Sequence, residues 1–153
     1  MVSFMRRAEQ KDYEQVLLFL QNAKLNTTNV KECLSNFLLL VDEENSLKAT
    51  IGLDFENNRG LIRSLVLLPT VTQKELIYLI ESMIQLANEL KVEEVYLLTH
   101  KSTNAQLFHF FEFEEAHLSE EIVPLLIKNG YELEGNVILF RKKVNNGYNL
   151  STI

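Results

Sequence analysis

The sequence predicts a mixed α/β fold in which an antiparallel meander is followed by a β-α-β crossover, with helices on both faces of the sheet. Three observations support this prediction. The chain has 153 residues, enough for one domain with a continuous core and neither disulfides nor metal. Between residues 37 and 68, three apolar runs alternate with turn sequences. A long segment of helical periodicity then separates two further apolar runs.

The N-terminal part of the chain predicts a strand and two helices. The strand covers VSFMRR (2–7), and Asp12 then occupies the N-cap position of a helix over YEQVLLFLQNA (13–23). The segment NTTNVKECLSNF (26–37) predicts a second, short helix. The apolar residues of the first helix that share one face are Val16, Leu17, Leu20 and Ala23.

The meander consists of FLLLV (37–41), LKATIGLDF (47–55) and LIRSLVLL (61–68). Its second turn is ENNRG, where Asn58 and Gly60 are residues that tolerate a positive φ. These three strands are therefore expected to be antiparallel neighbours.

The crossover follows the meander directly. From residue 74 to residue 90 the apolar side chains recur at helical spacing and form a wide stripe. VEEVYLL (92–98) is the next predicted strand. A strand, a helix and a strand in this order form a right-handed crossover with the two strands parallel.

The last third of the chain completes the predicted domain. Helices are expected over residues 103–111 and 120–129, and a closing strand over EGNVILFRKKV (134–144). We expect residues 1–144 to form a single domain and residues 145–153 a loosely ordered tail.

Composition excludes several classes of partner. With 15 Lys and Arg against 21 Asp and Glu, the formal net charge is -6, which argues against nucleic acid and anionic membrane surfaces. No segment approaches the roughly 20 apolar residues that a membrane span needs, and the N-terminus has no apolar run of signal-peptide length. The single cysteine, Cys33, suits a reducing compartment, and a small apolar filler is favoured over a nucleophile. The sequence thus predicts a cytoplasmic protein.

The order of elements and several short matches resemble the GCN5-related N-acetyltransferase (GNAT) superfamily. The matches are the opening FMRRAEQKDYEQVLLFL, the strand IRSLVLLP that ends at a proline, and VEEVYLLTHKSTNAQLF. LIRSLVLLP together with VYLLT is especially similar to the arsenic-resistance-associated, amino-acid-type acetyltransferases of that superfamily. The resemblance covers roughly residues 2–144 and implies an N-acetyltransferase that moves an acetyl group from acetyl-CoA to a small primary amine.

The resemblance also implies where the coenzyme binds. In the superfamily the fourth strand splays from the fifth, and the pantetheine arm occupies the slot between them. The turn that follows normally reads Q/R-x-x-G-x-G/A and holds the diphosphate. The positions of this sequence that the resemblance assigns to acetyl-CoA are Leu65, Val66, Leu67, Thr72, Gln73, Lys74 and Asn104.

The turn after Pro69 departs from that pattern. It contains no glycine, and Thr72-x-x-Glu75 has the form of a capping box, in which side chain and backbone satisfy each other at the helix start. The Glu75 carboxylate suits the helix dipole but repels a diphosphate. The turn is therefore expected to cap the start of the helix and not to hold a phosphate. In the alternative, Lys74 or amides beyond the box still receive a diphosphate.

Catalytic candidates follow from the chemistry of acetyl transfer, which needs a neutral amine and a proton for the leaving thiolate. The superfamily often uses a Tyr after the fifth strand, and that position falls on His109 or Phe108. His109 is either a general acid or a partly buried aromatic filler. His100, at a strand end, is the best placed general base, or else a plain surface residue. Arg63 either pairs with a substrate carboxylate or is an exposed sheet arginine.

Other chemistries have less support in the sequence. The three histidines are 9 and 8 residues apart, so no metal site is predicted. The acidic run EFEEAHLSEE (112–121) lacks the spacing and the glycine of a calcium loop, so a solvated loop or edge strand is expected. A noncatalytic module that recognises a metabolite or a protein is the main alternative. A homodimer, formed by pairing the exposed last strand NVILFRKK with its copy, is a further one.

Overall fold

A computed structural model describes residues 2–100 and 105–144 of the chain. Its strands are β1 Phe4–Arg7, β2 Phe37–Val41, β3 Leu47–Glu56, β4 Arg59–Leu67, β5 Glu94–His100, β6 Glu114–Ala116 and β7 Val137–Lys143. Its α-helices are α1 Tyr13–Asn22, α2 Val30–Cys33, α3 Gln73–Glu89, α4 Ala105–Phe110 and α5 Val123–Lys128.

These strands form one mixed sheet in the order β1-β2-β3-β4-β5-β7-β6. The pairs β1–β2, β2–β3 and β3–β4 are antiparallel, whereas β4 and β5, joined through α3, are parallel. The predicted mixed α/β fold with a meander and a crossover is therefore confirmed.

Helices pack on both faces of the sheet. On the α3 face, α3 and α4 cover a buried cluster that includes Leu79, Met83, Phe108 and Phe140. On the opposite face, which we call the α1 face, α1 and α2 cover one end of the sheet and α5 covers the other. Both faces of β3 and β4 are thereby buried over most of their length, so the polar side chains of Thr50, Asp54 and Arg63 within them are buried as well.

The start of α1 differs from its prediction. Asp12 does precede the helix, but its carboxylate makes no capping hydrogen bond to α1. Instead it accepts two hydrogen bonds from the Arg6 guanidinium, at 2.8 and 2.9 Å, and one from the Glu9 amide at 2.7 Å. Asp12 has helical φ and ψ and ends a 3₁₀ turn, so its side chain points away from the amides of α1. The carboxylate ties β1 to α1.

The turn between β3 and β4 also differs. Glu56 pairs with Arg59, which leaves a two-residue turn in which Asn57 has φ of 57°. Positive φ was expected at Asn58 and Gly60. Gly60 instead lies within β4, where an added Cβ would come within 2.9 Å of a Leu53 methyl group. Gly60 therefore allows Leu53 to pack closely against the β4 backbone, and it is not part of the turn.

The last strand is not an edge. β7 pairs with β5 along its whole length, and β6 pairs with its residues 139–141 on the other side. The free edge on which the predicted homodimer depended is therefore partly covered, and the homodimer itself stays a prediction. Within the described residues, the edges of the sheet are β1 and β6, and the acidic segment supplies the edge strand β6 as predicted. No helix in the described ranges is both long and apolar enough to cross a membrane.

Candidate active site

The site begins with a β-bulge in the middle of β4. Thr50 pairs with Val66 and Gly52 with Arg63, so one residue of β3 faces two residues of β4. At the bulge Ser64 has φ of 60°, and its carbonyl accepts a hydrogen bond of 2.8 Å from the Thr50 hydroxyl. Because a bulge bends its strand and increases the local twist, β4 turns away from β5 at this point.

The two parallel strands then separate. Their pairing comprises only Arg59–Glu94, Gly60–Val95 and Leu61–Tyr96. Beyond these pairs lies a cleft of about 530 Å³ between the diverging strands. The apolar side chains that line it are Leu25, Ile62, Leu65, Leu97, Leu98 and Phe108.

Polar residues line the end of the cleft on the α1 face. Arg63 is central among them and is only 3% exposed, so the interpretation as an exposed sheet arginine is wrong. Its Nη1 donates to Thr28 O at 2.5 Å and to Asn129 Oδ1 at 2.7 Å, and its Nε donates to Ser64 Oγ at 3.0 Å. A longer contact of 3.3 Å joins Nη2 to Asn26 O. One Nη2 hydrogen remains for a ligand, and its substrate role stays a prediction.

A buried network holds Arg63 in place. The fully buried Asn129 accepts from Arg63 and donates to Asp54 Oδ2 at 2.8 Å and to Leu125 O at 2.8 Å. Asn29 donates to the same Asp54 oxygen at 2.9 Å. The sequence analysis missed this network, whose only local signal is the Asn129-Gly130 pair at the end of α5.

The predicted capping box at α3 is confirmed. Thr72 Oγ1 accepts from the Glu75 amide at 3.1 Å, and Glu75 Oε1 accepts from the Thr72 amide at 2.9 Å. Hydrogen bonds from Ser3, from the Thr72 backbone and from Lys48 lower the pKa of Glu75 to about 2. Lys48 is buried, and its Nζ lies 3.4 Å from Glu75 Oε2 and 2.7 Å from Ser3 Oγ. The sequence did not predict that this carboxylate also forms an ion pair with the buried ammonium group of Lys48.

The residues assigned to the coenzyme fall into separate groups. Leu65 lines the cleft, whereas the Val66 side chain packs on the α1 face and Leu67 is 37% exposed. Asn104 lies outside the described residues. The contacts of this set with acetyl-CoA stay predictions. The other assigned residues, Thr72, Gln73 and Lys74, have exposed side chains at the start of α3.

The two candidate histidines are in different places. His100 lines the cleft at the end of β5. His109 is exposed, and its ring lies edge-on to Phe140 with the centroids 6.0 Å apart. Its neighbour Phe108 enters the cleft instead. Across the described part of the chain, no group of three or more His, Cys, Asp or Glu side chains could hold a metal ion.

Comparison with solved structures identifies the class of fold. A GNAT-family acetyltransferase of Staphylococcus aureus matches with a TM-score of 0.71 and 14% identity, over 94% of this chain and 100% of that one. N-acetylglutamate synthase of Neisseria gonorrhoeae, complexed with coenzyme A and N-acetyl-glutamate, matches with a TM-score of 0.74 and 16% identity. That match covers 95% of this chain but 36% of the synthase chain. The protein has the GNAT fold.

Sequence comparison gives the family. No protein-family model matches the chain. The uncharacterized protein YwlB of Bacillus subtilis is 31% identical over 113 residues, which are 73% of this chain and 77% of YwlB. The chain belongs to the same family as YwlB.

Proposed function

We propose that the protein is an N-acetyltransferase that transfers an acetyl group from acetyl-CoA to a small primary amine. The observation that carries this proposal is the open cleft between β4 and β5, which starts at the Ser64 bulge and is not filled by Leu98 or Phe108. Solved proteins of the same fold are complexed with coenzyme A, including Rv2747 of Mycobacterium tuberculosis (TM-score 0.72, 14% identity, 93% of this chain and 99% of that one). Within the superfamily, LIRSLVLLP favours the arsenic-resistance-associated group.

In this reaction the residues of β4 and of β5 that border the cleft would have different roles. Backbone groups of β4 beyond the bulge, at Leu65 to Leu67, are free to pair with the pantetheine arm instead of with β5. His100, on the opposite strand, would take a proton from the ammonium form of the acceptor through water. Arg63, with its remaining Nη2 hydrogen, can fix a carboxylate or another acceptor oxygen of the amine.

The start of α3 sets the strength of coenzyme binding. Thr72, Gln73 and Lys74 would receive the diphosphate, but the Thr72 and Glu75 amides already have partners. Glu75 is itself paired with Lys48, which reduces its repulsion of an anion. We propose a degenerate diphosphate turn that lowers the affinity for acetyl-CoA without abolishing it.

A noncatalytic binding module remains the second candidate. The capping box favours it, and so does Phe108, which enters the cleft from the helix where the superfamily often has a tyrosine. In this case the cleft would hold a metabolite or a segment of a partner protein, without acetyl transfer.

Calorimetric titration with acetyl-CoA tests both candidates. Leu98→Trp places a large ring in the cleft, and Leu118→Trp is the matched control because Leu118 is exposed and does not line the cleft. Binding by the wild type and by Leu118→Trp, lost in Leu98→Trp, would support a coenzyme site between β4 and β5. Glu75→Gln keeps a capping side chain but removes its charge, so tighter binding by this variant would support the degenerate turn. If the wild type does not bind millimolar acetyl-CoA, the transferase proposal fails.

A further inference from the structure

The cleft contains a tyrosine that the sequence analysis did not consider. Tyr131 follows α5 and lines the cleft together with Arg63, Leu98 and His100. Building on the proposed acetyltransferase function, we infer that Tyr131 is a catalytic residue whose hydroxyl gives a proton to the leaving thiolate of coenzyme A.

The position of Tyr131 is fixed by the chain on either side of it. Its amide donates to Leu126 O at 3.1 Å. Gly130 has φ of 81°, and a Cβ at this residue would lie 2.7 Å from Asn26 Oδ1 and 2.7 Å from Thr28 Oγ1. The backbone before Tyr131 therefore lies directly against the loop between α1 and α2. Asn129, fully buried in the Arg63 network, anchors the same segment from the other side.

The environment of the side chain suits a proton donor. The ring is half-buried and packs against the cluster around Leu61 and Tyr96 on the α1 face. Among the described residues, no side chain takes a hydrogen bond from its hydroxyl, which is thus available to a ligand. Burial raises the pKa of Tyr131, and the positive charge of Arg63 opposes this shift. The phenol therefore stays protonated near neutral pH, as a general acid requires.

The other described groups around the cleft are less suited to this step. Arg63 does not lose its proton, and the aliphatic Ser64 hydroxyl is a far weaker acid than a phenol. Lys24 and Glu132 are exposed at the mouth. Phe108 has no proton to give, and His109 does not line the cleft. His100 is then left for the opposite task, the removal of a proton from the amine.

The step balances without a further reactant. The neutral amine attacks the thioester carbonyl carbon, and a C–N bond forms. The C–S bond then breaks, and its electron pair leaves with sulfur. The Tyr131 hydroxyl proton passes to that sulfur, while the proton lost by the amine nitrogen passes to His100 or to water. The phenolate regains a proton from solvent before the next turnover.

Steady-state kinetics with acetyl-CoA and a panel of L-amino acids and aliphatic primary amines tests the inference. Tyr131→Phe removes only the hydroxyl, and we expect kcat to fall about 100-fold with the KM for acetyl-CoA unchanged. Tyr13→Phe is the control, because Tyr13 is also partly buried but packs against the buried residues under α1 and α2, outside the cleft. Its kcat should equal that of the wild type.

A second measurement separates proton transfer from a structural role. Replacing Tyr131 with 3,5-difluorotyrosine makes the phenol more acidic and should move the alkaline limb of the kcat–pH profile to lower pH. The charged or titratable groups around it, Arg63 on β4, His100 on β5 and Lys24 and Glu132 on the flanking loops, are unchanged in this variant. Any shift of the alkaline limb thus reports on residue 131.

Three results would overturn the inference, and they differ in what they say about the proposed function. Turnover by the wild type with an unchanged kcat in Tyr131→Phe refutes the role of Tyr131 and leaves the acetyltransferase proposal standing. A lower kcat in Tyr131→Phe, combined with an alkaline limb that fluorination does not move, reduces Tyr131 to a positioning residue. No turnover of any acceptor by the wild type overturns the transferase proposal and this inference together.

Discussion

Arg63 Nη1 lies 2.7 Å from Asn129 Oδ1, although 66 residues separate the two in the sequence. The same Asn129 amide donates to Asp54, so a neutral side chain stands between a buried cation and a buried anion. One amide therefore joins β3, β4 and the end of α5, and it orients the guanidinium that faces the cleft.

Removing that amide should destabilise the fold strongly. Asn129→Leu leaves hydrogen-bonding groups of Arg63 and Asp54 unsatisfied, and we expect a loss of about 3 kcal/mol in the free energy of unfolding. Urea denaturation followed by circular dichroism measures it. Asn136→Leu, at an exposed position, should change stability by less than about 0.5 kcal/mol. Equal losses in both variants would contradict the assigned role of the network.

Two glycines with similar backbone conformations provide a matched test of close packing. Gly130 and Gly135 have φ of 81° and 85°, but an added Cβ at Gly130 meets Asn26 and Thr28, whereas at Gly135 it meets nothing within 4 Å. Both alanine variants carry the strain of positive φ, about 1 kcal/mol. Gly130→Ala should cost distinctly more in thermal unfolding experiments, and a similar melting temperature for the two variants would argue against the packing of this segment on the loop.

The Glu75 carboxylate should contribute to stability in a defined pH range. Its pKa is lowered from 4.5 to about 2 in the folded protein, so its contribution is fully present above pH 4.5 and is lost as the pH falls towards 2. Glu75→Ala removes the cap and leaves Lys48 without its anion, which should cost about 1 kcal/mol at pH 7. Denaturation curves at pH 7 and pH 3 should show this difference shrinking with acid. A pH-independent difference would refute the assignment.

The Asp12 carboxylate should give the same direction of acid sensitivity as Glu75. The Arg6 guanidinium, which donates to this carboxylate, lowers the pKa of Asp12 below its ordinary 3.8. Its stabilising effect is thus present above pH 3.8 and is lost as the pH falls through the lowered value. In Asp12→Asn, the acid-dependent part of the unfolding free energy should decrease, as potentiometric or denaturant titration would show. If Asp12→Asn kept the acid sensitivity of the wild type, the Arg6–Asp12 pair would not be the source of that sensitivity.

Cys33 should be unreactive in the folded protein. Its side chain is buried, and burial raises the pKa of the thiol to about 11, so very little thiolate exists at neutral pH. Reaction with Ellman's reagent is expected to be slow in buffer and complete in denaturant. Rapid labelling of the native protein would mean that the region around α2 opens readily.

The fold was predictable because its elements have strong local signals. The stripe on α3, the three runs of the meander and the Thr72–Glu75 box each depend on residues that are close in sequence. The error at the start of α1 came where two partners compete for one side chain. Asp12 has the sequence position of a cap, but Arg6 binds its carboxylate and the backbone takes a helical conformation there.

The site was less predictable for a similar reason. His100 was predicted to face a ligand crevice because it ends a strand, and Leu65 was assigned to the slot by the resemblance; both line the cleft. Tyr131 and Asn129 could not be found in this way, because the end of α5 returns to β4 only in three dimensions. Lys48 was missed because its partner, Glu75, is 27 residues away.

The extra residue at the bulge shifts the in–out alternation of side chains along β4 by one position. Arg63 and Val66 are three residues apart yet face the same side of the sheet, and so do Ile62 and Leu65 on the other side. In an unbroken strand such pairs would point to opposite faces. Deleting Ser64 would therefore do more than straighten the strand. It would return β4 to a regular alternation alongside β5 and remove the bend from which the cleft opens, so a single-codon deletion in this strand should be more harmful than most substitutions in the core.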